Sequence, residues 1–380
     1  MSTLKADTVT AATTNGNLAI SNQGTGGIAI DGMPHRNLII NGDMRISTRG
    51  TSFANPGNGS YTLDRWRIYY GSAGVVTVTQ DTDTPTVAEA GTDFVNSLKV
   101  DVTTADASIA AGDFYTIQQR IEGLNWGRLG FGASGASSIT ISFWVKSPKT
   151  GTHTVSVRNS ASNRSYPAEY SVSSADTWEN KSVTIAGDTT GTWLTTNGIG
   201  AYIDWALAMG STYHGTEGTW EAASDVSTSN QVNCMDNTAN NFYLTGVQLE
   251  VGAAATDFEH RDIASEEARC QRYCYNMVED GSIDGVAVAY NWNTTQTIMA
   301  IPHPQPMRAK PSLTSLGDIT KLNLYYAGSS VQAGTTASIN ESTRFMNAIA
   351  VNIGSAVFTA GNPCHIRTNA STDIIFDAEL

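Results

Sequence analysis

The sequence is poor in charge and in cysteine, and each shortage argues against a class of function. Charged residues form only 15% of the 380 residues, and 35 acidic against 22 basic residues give a net charge of −13. Binding to phosphates needs a basic surface, so a nucleic-acid partner or an anionic membrane surface is disfavoured. Four cysteines are too few for a disulfide framework in a chain of this length.

Long apolar runs and catalytic motifs are also missing. No run approaches the roughly 18 apolar residues of a membrane span, and no basic-then-apolar signal pattern opens the sequence, so we expect a soluble chain made in the cytoplasm. The sequence contains no HExxH, GxSxG, Walker or strand-linked GxGxxG motif. The six histidines are scattered, and none stands at ligand spacing from a cysteine. We therefore expect no catalytic residues, no metal site and no enzyme activity.

Two cysteines need a separate interpretation. Cys270 and Cys274 lie four residues apart in a segment that predicts a helix, where they would suit a pair of metal ligands. No second ligand pair accompanies them. Two small apolar side chains on a packed helix face are the favoured interpretation.

Serine, threonine, asparagine and glycine are abundant and separate many short alternating segments. In "SSITISFWVKS" Ile139, Ile141, Phe143 and Val145 alternate with polar residues, so Trp144 falls on the outward side of its strand. Such strands, repeated between turn signals, predict an all-β fold, a two-sheet sandwich or jelly roll.

The same alternation predicts further outward residues. In "THTVSVRNS" Val155 and Val157 point inward and Arg158 outward. In "AYIDWALAM" the apolar row leaves Tyr202 and Asp204 on the opposite, polar side. Aromatic rings beside polar groups suit a sugar, so the outward residues are our candidate ligand site: Trp144, Arg158, Tyr202 and Asp204. For Trp144 itself a neighbouring subunit or a covering loop is the favoured partner, and a glycan is the alternative.

The segment "NLIINGDMRISTRGTSFANPGNGSYTLDRWRIYY" predicts a strand at residues 37–40, an Asn-Gly turn and a second strand in the aromatic and basic run that follows. We expect Trp66 to fill the core and Asp64 and Arg65 to pair or cap locally.

Composition divides the chain into four parts. The near-copies "GNLAIS" and "GGIAID" in the first part cannot bury a core of their own, so they predict either a docking segment or a disordered leader. The boundaries are residues 1–35 for this N-terminal attachment and oligomerisation segment, 36–261 for a jelly-roll domain, 262–280 for a linking helix and 281–380 for a C-terminal β-sandwich.

A glycosidase is the serious enzymatic alternative, because it needs only two carboxylates across a sugar. Asp204, Glu217 and Glu221 lie in an aromatic-rich part of the sequence. Carboxylates in loops usually face solvent or form turns, so we favour binding over cleavage.

The sequence resembles bacteriophage and prophage virion proteins of the tail-fibre type. The resemblance covers most of residues 37–312, in order, and rests on "NLIINGDMRIS", "YTLDRWRIYY", "QQRIEGLNW", "SFWVKS", "GVQLEVGAAATDFEHRD", "EEARCQRYCY" and "IPHPQPMRAKPS". It implies a jelly roll similar to carbohydrate-binding modules, a short helix and a C-terminal β-sandwich, usually in a homotrimeric fibre. "MSTLKADTVT" resembles the virion-attachment end of marine-phage structural proteins.

The resemblance also implies a function and partners. It implies a virion protein made in the bacterial cytoplasm, probing host-surface polysaccharide as a tail fibre and joining other virion proteins through residues 1–35. A head fibre, capsid decoration or other appendage without a host ligand is the alternative, and a glycan-cleaving tailspike is a third. We expect no cofactor. In carbohydrate-binding jelly rolls of this kind the turn equivalent to "NGD" often lies near a structural calcium, for which Asp43 and Glu250 would be weak candidate carboxylates, and a polar turn explains Asp43 equally well.

The repeats and the resemblance together predict a homotrimer. Identical copies can pair the short N-terminal strands without leaving strand edges open. Light scattering of the purified chain should give about three times the 40.3 kDa of one chain. A monomer at micromolar concentration would contradict this prediction.

Overall fold

The computed structural model describes residues 36–278, 285–315, 318–326, 330–368 and 373–380. Over these residues the protein is nearly all β, as predicted, and it forms two sandwiches with separate cores. The predicted N-terminal strand repeats lie outside the described residues. None of the helices in the described part is long and apolar enough to cross a membrane.

The first sandwich packs a six-stranded antiparallel sheet, ordered β1-β3-β4-β11-β6-β9, against a five-stranded one, ordered β2-β5-β10-β7-β8. Its strands are β1 Ser52–Ala54, β2 Trp66–Tyr70, β3 Val75–Asp81, β4 Ser97–Thr104, β5 Phe114–Glu122, β6 Ile139–Lys146, β7 Gly151–Asn159, β8 Ser165–Val172, β9 Glu179–Ile185, β10 Ile199–Met209 and β11 Asn241–Val251. The short helices α1 Val87–Ala90 and α2 Gly123–Trp126 lie in its connections.

The second sandwich packs a three-stranded sheet, ordered β12-β21-β15, against a seven-stranded one, ordered β17-β16-β20-β13-β14-β19-β18. Helix α3, Ile263–Gln271, precedes it. Its strands are β12 Cys274–Asn276, β13 Gly285–Asn291, β14 Gln296–Pro302, β15 Ser312–Ser315, β16 Leu322–Tyr326, β17 Ser330–Ala333, β18 Thr336–Ser342, β19 Met346–Asn352, β20 Pro363–Thr368 and β21 Ile375–Asp377.

Strand alternation builds the first core. The inward row of β6 and the residues Ile203 and Trp205 of β10 are fully buried, as predicted, and Trp66 packs against Trp205 with ring centroids 5.5 Å apart. Burying each large apolar side chain contributes about 1.5–3 kcal/mol. The two sheets therefore have fixed inner and outer faces, and polar or charged side chains can occupy the outer faces without disturbing the core.

The predicted helix is shorter than expected. Asp262 caps α3 by accepting a hydrogen bond from the amide of Ser265, but the helix ends at Gln271 rather than near residue 280. Cys274 lies in β12 and pairs with Asp377 of β21. The final strand of the chain thus takes the hydrogen bonds that a longer helix would have used.

The predicted strand at residues 37–40 is wrong. The segment is buried but forms no ladder, because side chains rather than a neighbouring strand accept most of its amide hydrogen bonds. The amide of Ile39 donates to Asn37 Oδ1 at 2.9 Å, and that of Ile40 donates to Gln119 Oε1 at 3.0 Å. Only the amide of Leu38 reaches a strand, at the carbonyl of Leu249.

A buried arginine joins the two sandwiches. Arg65 is 1% exposed and adopts a left-handed backbone conformation with φ 70°. Its guanidinium lies 3.6 Å from the ring centroid of Tyr273 and binds the carboxylate of Glu379. The prediction that Arg65 pairs or caps locally is therefore wrong, because its counter-charge is the carboxylate of Glu379, which is distant in the sequence.

Two more ion pairs surround this contact. Arg49 bridges Asp64 of the first sandwich, at 3.3 Å, and Asp377 of the second, at 2.8 Å. Glu122, at the end of β5, binds Arg272 at 2.6 Å and accepts a hydrogen bond from the hydroxyl of Tyr273 at 2.7 Å. Polar contacts thus fix the second sandwich to the first.

Replacing Glu379 with glutamine should destabilise the protein strongly. The change leaves Arg65 buried without a counter-charge, and breaking a buried pair in this way costs about 3–5 kcal/mol. We expect a clear fall in melting temperature by calorimetry. Glu341→Gln, at an exposed position on β18, is the matched control. Equal melting temperatures for the two variants would contradict a structural role for the Arg65–Glu379 pair.

Candidate functional site

The outer face of the five-stranded sheet collects charged and aromatic side chains from neighbouring strands. Tyr202 of β10 pairs with Arg120 of β5 on one side and with Arg158 of β7 on the other. Directly paired residues share a face. Six residues on this outer face are called the polar face below: Arg67, Tyr69, Gln118, Arg120, Arg158 and Tyr202.

A buried hydrogen-bond network orients the guanidiniums of the polar face. Gln118 Oε1 accepts from Arg67 Nη1 at 2.9 Å and from Arg120 Nε at 3.2 Å. Gln118 Nε2 donates to Asp204 Oδ1 at 2.6 Å. Asp204 Oδ2 accepts two hydrogen bonds from Arg158, at 3.0 and 2.9 Å. Charge-assisted bonds of this kind fix side-chain geometry before any ligand arrives.

Aromatic rings lie among these cations. The ring centroid of Tyr202 is 5.3 Å from the Arg120 guanidinium and 5.2 Å from that of Arg158. The ring of Tyr69 lies 4.9 Å from the guanidinium of Arg67. At these distances cation–π attraction holds ring and guanidinium together. Both tyrosines remain partly exposed.

A cavity of about 250 Å³ adjoins the polar face. Tyr69 and Arg158 belong to the polar face and also line this cavity. Its other walls include Phe114, whose ring lies 4.8 Å from that of Tyr69 and 5.4 Å from that of Tyr213. Three rings and one oriented arginine therefore surround a space that suits a single sugar ring.

The loop over this cavity, residues 210–233, is tied to the sheet at Glu221 and Asp225 by backbone hydrogen bonds. Ser165 of β8 exchanges backbone hydrogen bonds with Glu221, and the amide of Asp225 donates to Ser165 Oγ at 3.1 Å. Burial, followed by the hydrogen bond and the charge of Glu221, raises the pKa of Asp225 above its usual 3.8. The neighbouring charge of Glu221 thus favours the protonated form of Asp225, so that the two carboxylates share a proton.

The structure brings three of the four predicted ligand residues together and separates the fourth. Arg158, Tyr202 and Asp204 lie on the five-stranded sheet, although Asp204 is fully buried beneath the polar face. Trp144 lies on β6 of the six-stranded sheet, so a single outward surface bearing all of them is wrong. Alternation shows which side of its own sheet a residue takes, but the two sheets turn their outer faces in opposite directions.

Trp144 lies near the connection between β3 and β4. Gly246 adopts φ 59°, and a Cβ built there would lie 3.0 Å from Trp144 Cδ1 and 2.8 Å from Phe94 Cζ. Phe94 belongs to that connection and is buried. Trp144 remains partly exposed, so the identity of its partner stays a prediction.

The weak calcium candidates have other partners. Asp43 binds Arg45 at 2.5 Å, and burial raises the pKa of its carboxyl. Glu250 accepts hydrogen bonds from the amide and hydroxyl of Thr256, each at 2.8 Å. No group of three metal-binding side chains occurs within the described ranges.

The cysteines are packed rather than exposed. Those in the described part are free and buried, and burial raises the pKa of Cys270 and Cys274 far above its usual value.

Sequence reasoning missed four members of the polar face. Arg67, Tyr69, Gln118 and Arg120 alternate with the inward residues of β2 and β5, and Arg67 and Gln118 are themselves buried. The signal was present in "DRWRIYY", where Trp66 and Ile68 mark the inward side and so place Arg67 and Tyr69 outward.

Replacing Asp225 with asparagine should stabilise the protein at neutral pH. The pKa of the Asp225 carboxyl is near 3.8 in the unfolded chain and higher in the folded protein. At pH values between the two, the folded state binds more protons, so the contribution of Asp225 to the free energy of unfolding falls as the pH rises. Asparagine removes the charge and can still donate a hydrogen bond to Glu221. We expect a melting temperature higher by a few degrees at pH 7, and no gain near pH 3.

Asp176→Asn, at an exposed left-handed position that both residues tolerate, is the control. A gain for Asp225→Asn that does not change with pH would contradict the proton-sharing interpretation.

Comparison with known proteins gives distant likenesses only. No family model and no curated protein matches the chain. Solved structures with similarity include the enzymatically active domain of bacteriophage CBA120 tailspike protein 4, at 15% identity and TM-score 0.30, covering 58% of this chain and 22% of that one. The chain thus spans about a fifth of that tailspike domain.

Two carbohydrate-binding modules are also similar. TmCBM61, solved with β-1,4-galactotriose, has 11% identity and TM-score 0.28, covering 57% of this chain and 99% of the module. The family 11 module from Clostridium thermocellum, solved with a β-1,3-1,4-mixed-linked tetrasaccharide, has 10% identity and TM-score 0.26, covering 54% and 98%.

Proposed function

We propose that the chain is a non-enzymatic glycan-binding protein of a bacteriophage virion, of the tail-fibre type. The polar face and its adjoining cavity bind the glycan. One observation carries the proposal: a cavity walled by Tyr69, Phe114 and Tyr213 lies beside guanidiniums that a buried network already holds in place.

Sugars match this combination chemically. Their C–H faces stack on aromatic rings, and their hydroxyl oxygens accept hydrogen bonds from cationic donors. Gln118 and Asp204 fix the donors in advance, so little side-chain entropy is lost when a ligand binds.

The virion role is supported by the sequence motifs, which follow one another as in phage fibre proteins. A homotrimer that docks through residues 1–35 and displays the first sandwich to the host surface completes this proposal. Electron microscopy with a labelled antibody would distinguish a tail fibre from a head fibre or capsid decoration.

Binding is favoured over cleavage by the state of the carboxylates. Asp204 is occupied by Arg158 and Gln118, and Glu221 is tied to Asp225 and to Thr216. These contacts hold both carboxylates in place, which favours a binding role, and Glu217, the third candidate, is exposed on the same loop. Release of reducing ends from a bound polysaccharide would show that cleavage occurs after all.

Replacing Tyr69 with alanine should weaken glycan binding. The ring is one wall of the cavity, and losing one aromatic contact costs about 1–2 kcal/mol, or roughly 5- to 30-fold in affinity. A microarray of bacterial surface polysaccharides, followed by calorimetry on the best ligand, measures the effect.

Trp144→Ala is the matched control, because Trp144 is also outward and partly exposed but lies on the opposite sheet. Melting temperatures of both variants monitor folding. Weakened binding in the Trp144 variant alone would overturn the assignment of the polar face.

A further inference from the structure

The second sandwich contains a larger cavity, of about 420 Å³, at one end of its seven-stranded sheet. It lies where β13 ends, β20 begins and β16 ends, against the connection between β19 and β20. We call it the Asn291 cavity, after the residue that ends β13 and lines it. The site proposed above lies in the other sandwich, so this cavity is independent of it.

The lining of the Asn291 cavity is aromatic and polar but carries no carboxylate and no lysine or arginine. Tyr325 and Tyr326 contribute rings, while Thr359, Asn362 and His365 contribute a hydroxyl, an amide and an imidazole. A metal ion would need anionic ligands, and a strongly charged ligand would need a counter-charge. The lining instead suits a neutral, hydroxyl-rich ring.

Asn291 is a buried member of the lining. The residue is 2% exposed, and its Oδ1 accepts no hydrogen bond from any described residue. This oxygen atom is itself closed to solvent, so it offers no contact to a ligand in the cavity. The backbone around it is fixed, because the Asn291 amide donates to the Asn362 carbonyl at 2.9 Å and the Gly361 amide donates to the Asn291 carbonyl at 2.8 Å. Asn291 therefore forms a rigid part of the cavity wall.

The rings of the cavity are held in place before binding. Tyr326 packs edge-on against the buried Phe358, with centroids 5.1 Å apart. Tyr325 lies 6.5 Å from the ring of His365 and has the guanidinium of Arg367 5.4 Å from its centroid. Fixed rings lower the entropic cost of stacking on a sugar face.

An exposed aromatic pair extends the cavity along β13. Tyr290 pairs with Pro363, which lines the cavity, and its ring centroid lies 6.3 Å from that of Trp292. Tyr290 is 45% exposed and Trp292 is 59% exposed. Large exposed aromatic rings beside a polar cavity are a typical feature of ligand-binding surfaces.

We infer that the Asn291 cavity binds one hexose ring of a neutral polysaccharide. A sugar ring stacks on Tyr325, its hydroxyls bond to the polar side chains of Thr359, Asn362 and His365, and the Tyr290–Trp292 pair contacts the adjoining sugar unit. The chain thus has a second glycan site, on its second sandwich.

The test is calorimetric titration of the full chain with neutral hexasaccharides of β-glucan, β-galactan and α-mannan, and with hexagalacturonate as the acidic counterpart. We expect saturable binding of a neutral hexasaccharide, a roughly tenfold loss in Tyr325→Ala and a loss of several-fold in Trp292→Ala. Trp292 is exposed, so its variant reports binding without disturbing the core. Phe345→Ala, at a 64% exposed position elsewhere in the same sandwich, should bind as the wild type does.

Tyr69→Ala separates the two sites. Neutral-hexasaccharide binding that persists in Tyr69→Ala and falls in Tyr325→Ala supports the Asn291 cavity, whether or not the polar face binds glycan. No binding of any neutral hexasaccharide, or equal affinity in the Tyr325, Trp292 and Phe345 variants, would overturn the inference. A change of oligomeric mass in Trp292→Ala would also overturn it, because the aromatic pair would then contact a second copy of the chain.

Discussion

The contact between Arg65 and Glu379 is the constraint on which the arrangement of the molecule depends. The arginine is buried in the first sandwich, yet its counter-charge and the Tyr273 ring beneath it come from beyond residue 270. Its Nη2 also donates to the carbonyl of Arg120 at 2.5 Å. The same guanidinium therefore joins the two sandwiches and fixes the backbone of a polar-face strand.

The edge of the polar face is consequently built from both sandwiches. The side chain of Arg120 donates to the carbonyl of Leu380, and the hydroxyl of Tyr61 donates to the same oxygen at 3.0 Å. A change in how the sandwiches meet would thus move a guanidinium of the candidate site. This coupling is short-range and electrostatic, since it passes through hydrogen bonds to one carbonyl.

Local pattern predicted the cores well and the assembly of sheets poorly. The buried row of β6 and the outward position of Tyr202 follow from alternation, which depends only on neighbouring residues. Alternation contains no information on which strands pair, and the separation of Trp144 from Tyr202 is decided by partners up to about a hundred residues away. The shorter helix has the same cause, because Cys274 pairs with Asp377 of β21, which follows about a hundred residues later in the sequence.

The position of β21 sets the order in which the chain can fold during synthesis. This three-residue strand lies between β12 and β15, both made earlier, so the small sheet stays without its middle strand until residues 375–377 have been made. Arg65 likewise waits for a carboxylate 314 residues downstream. Until Glu379 has been made, the first sandwich lacks one of its buried ion pairs.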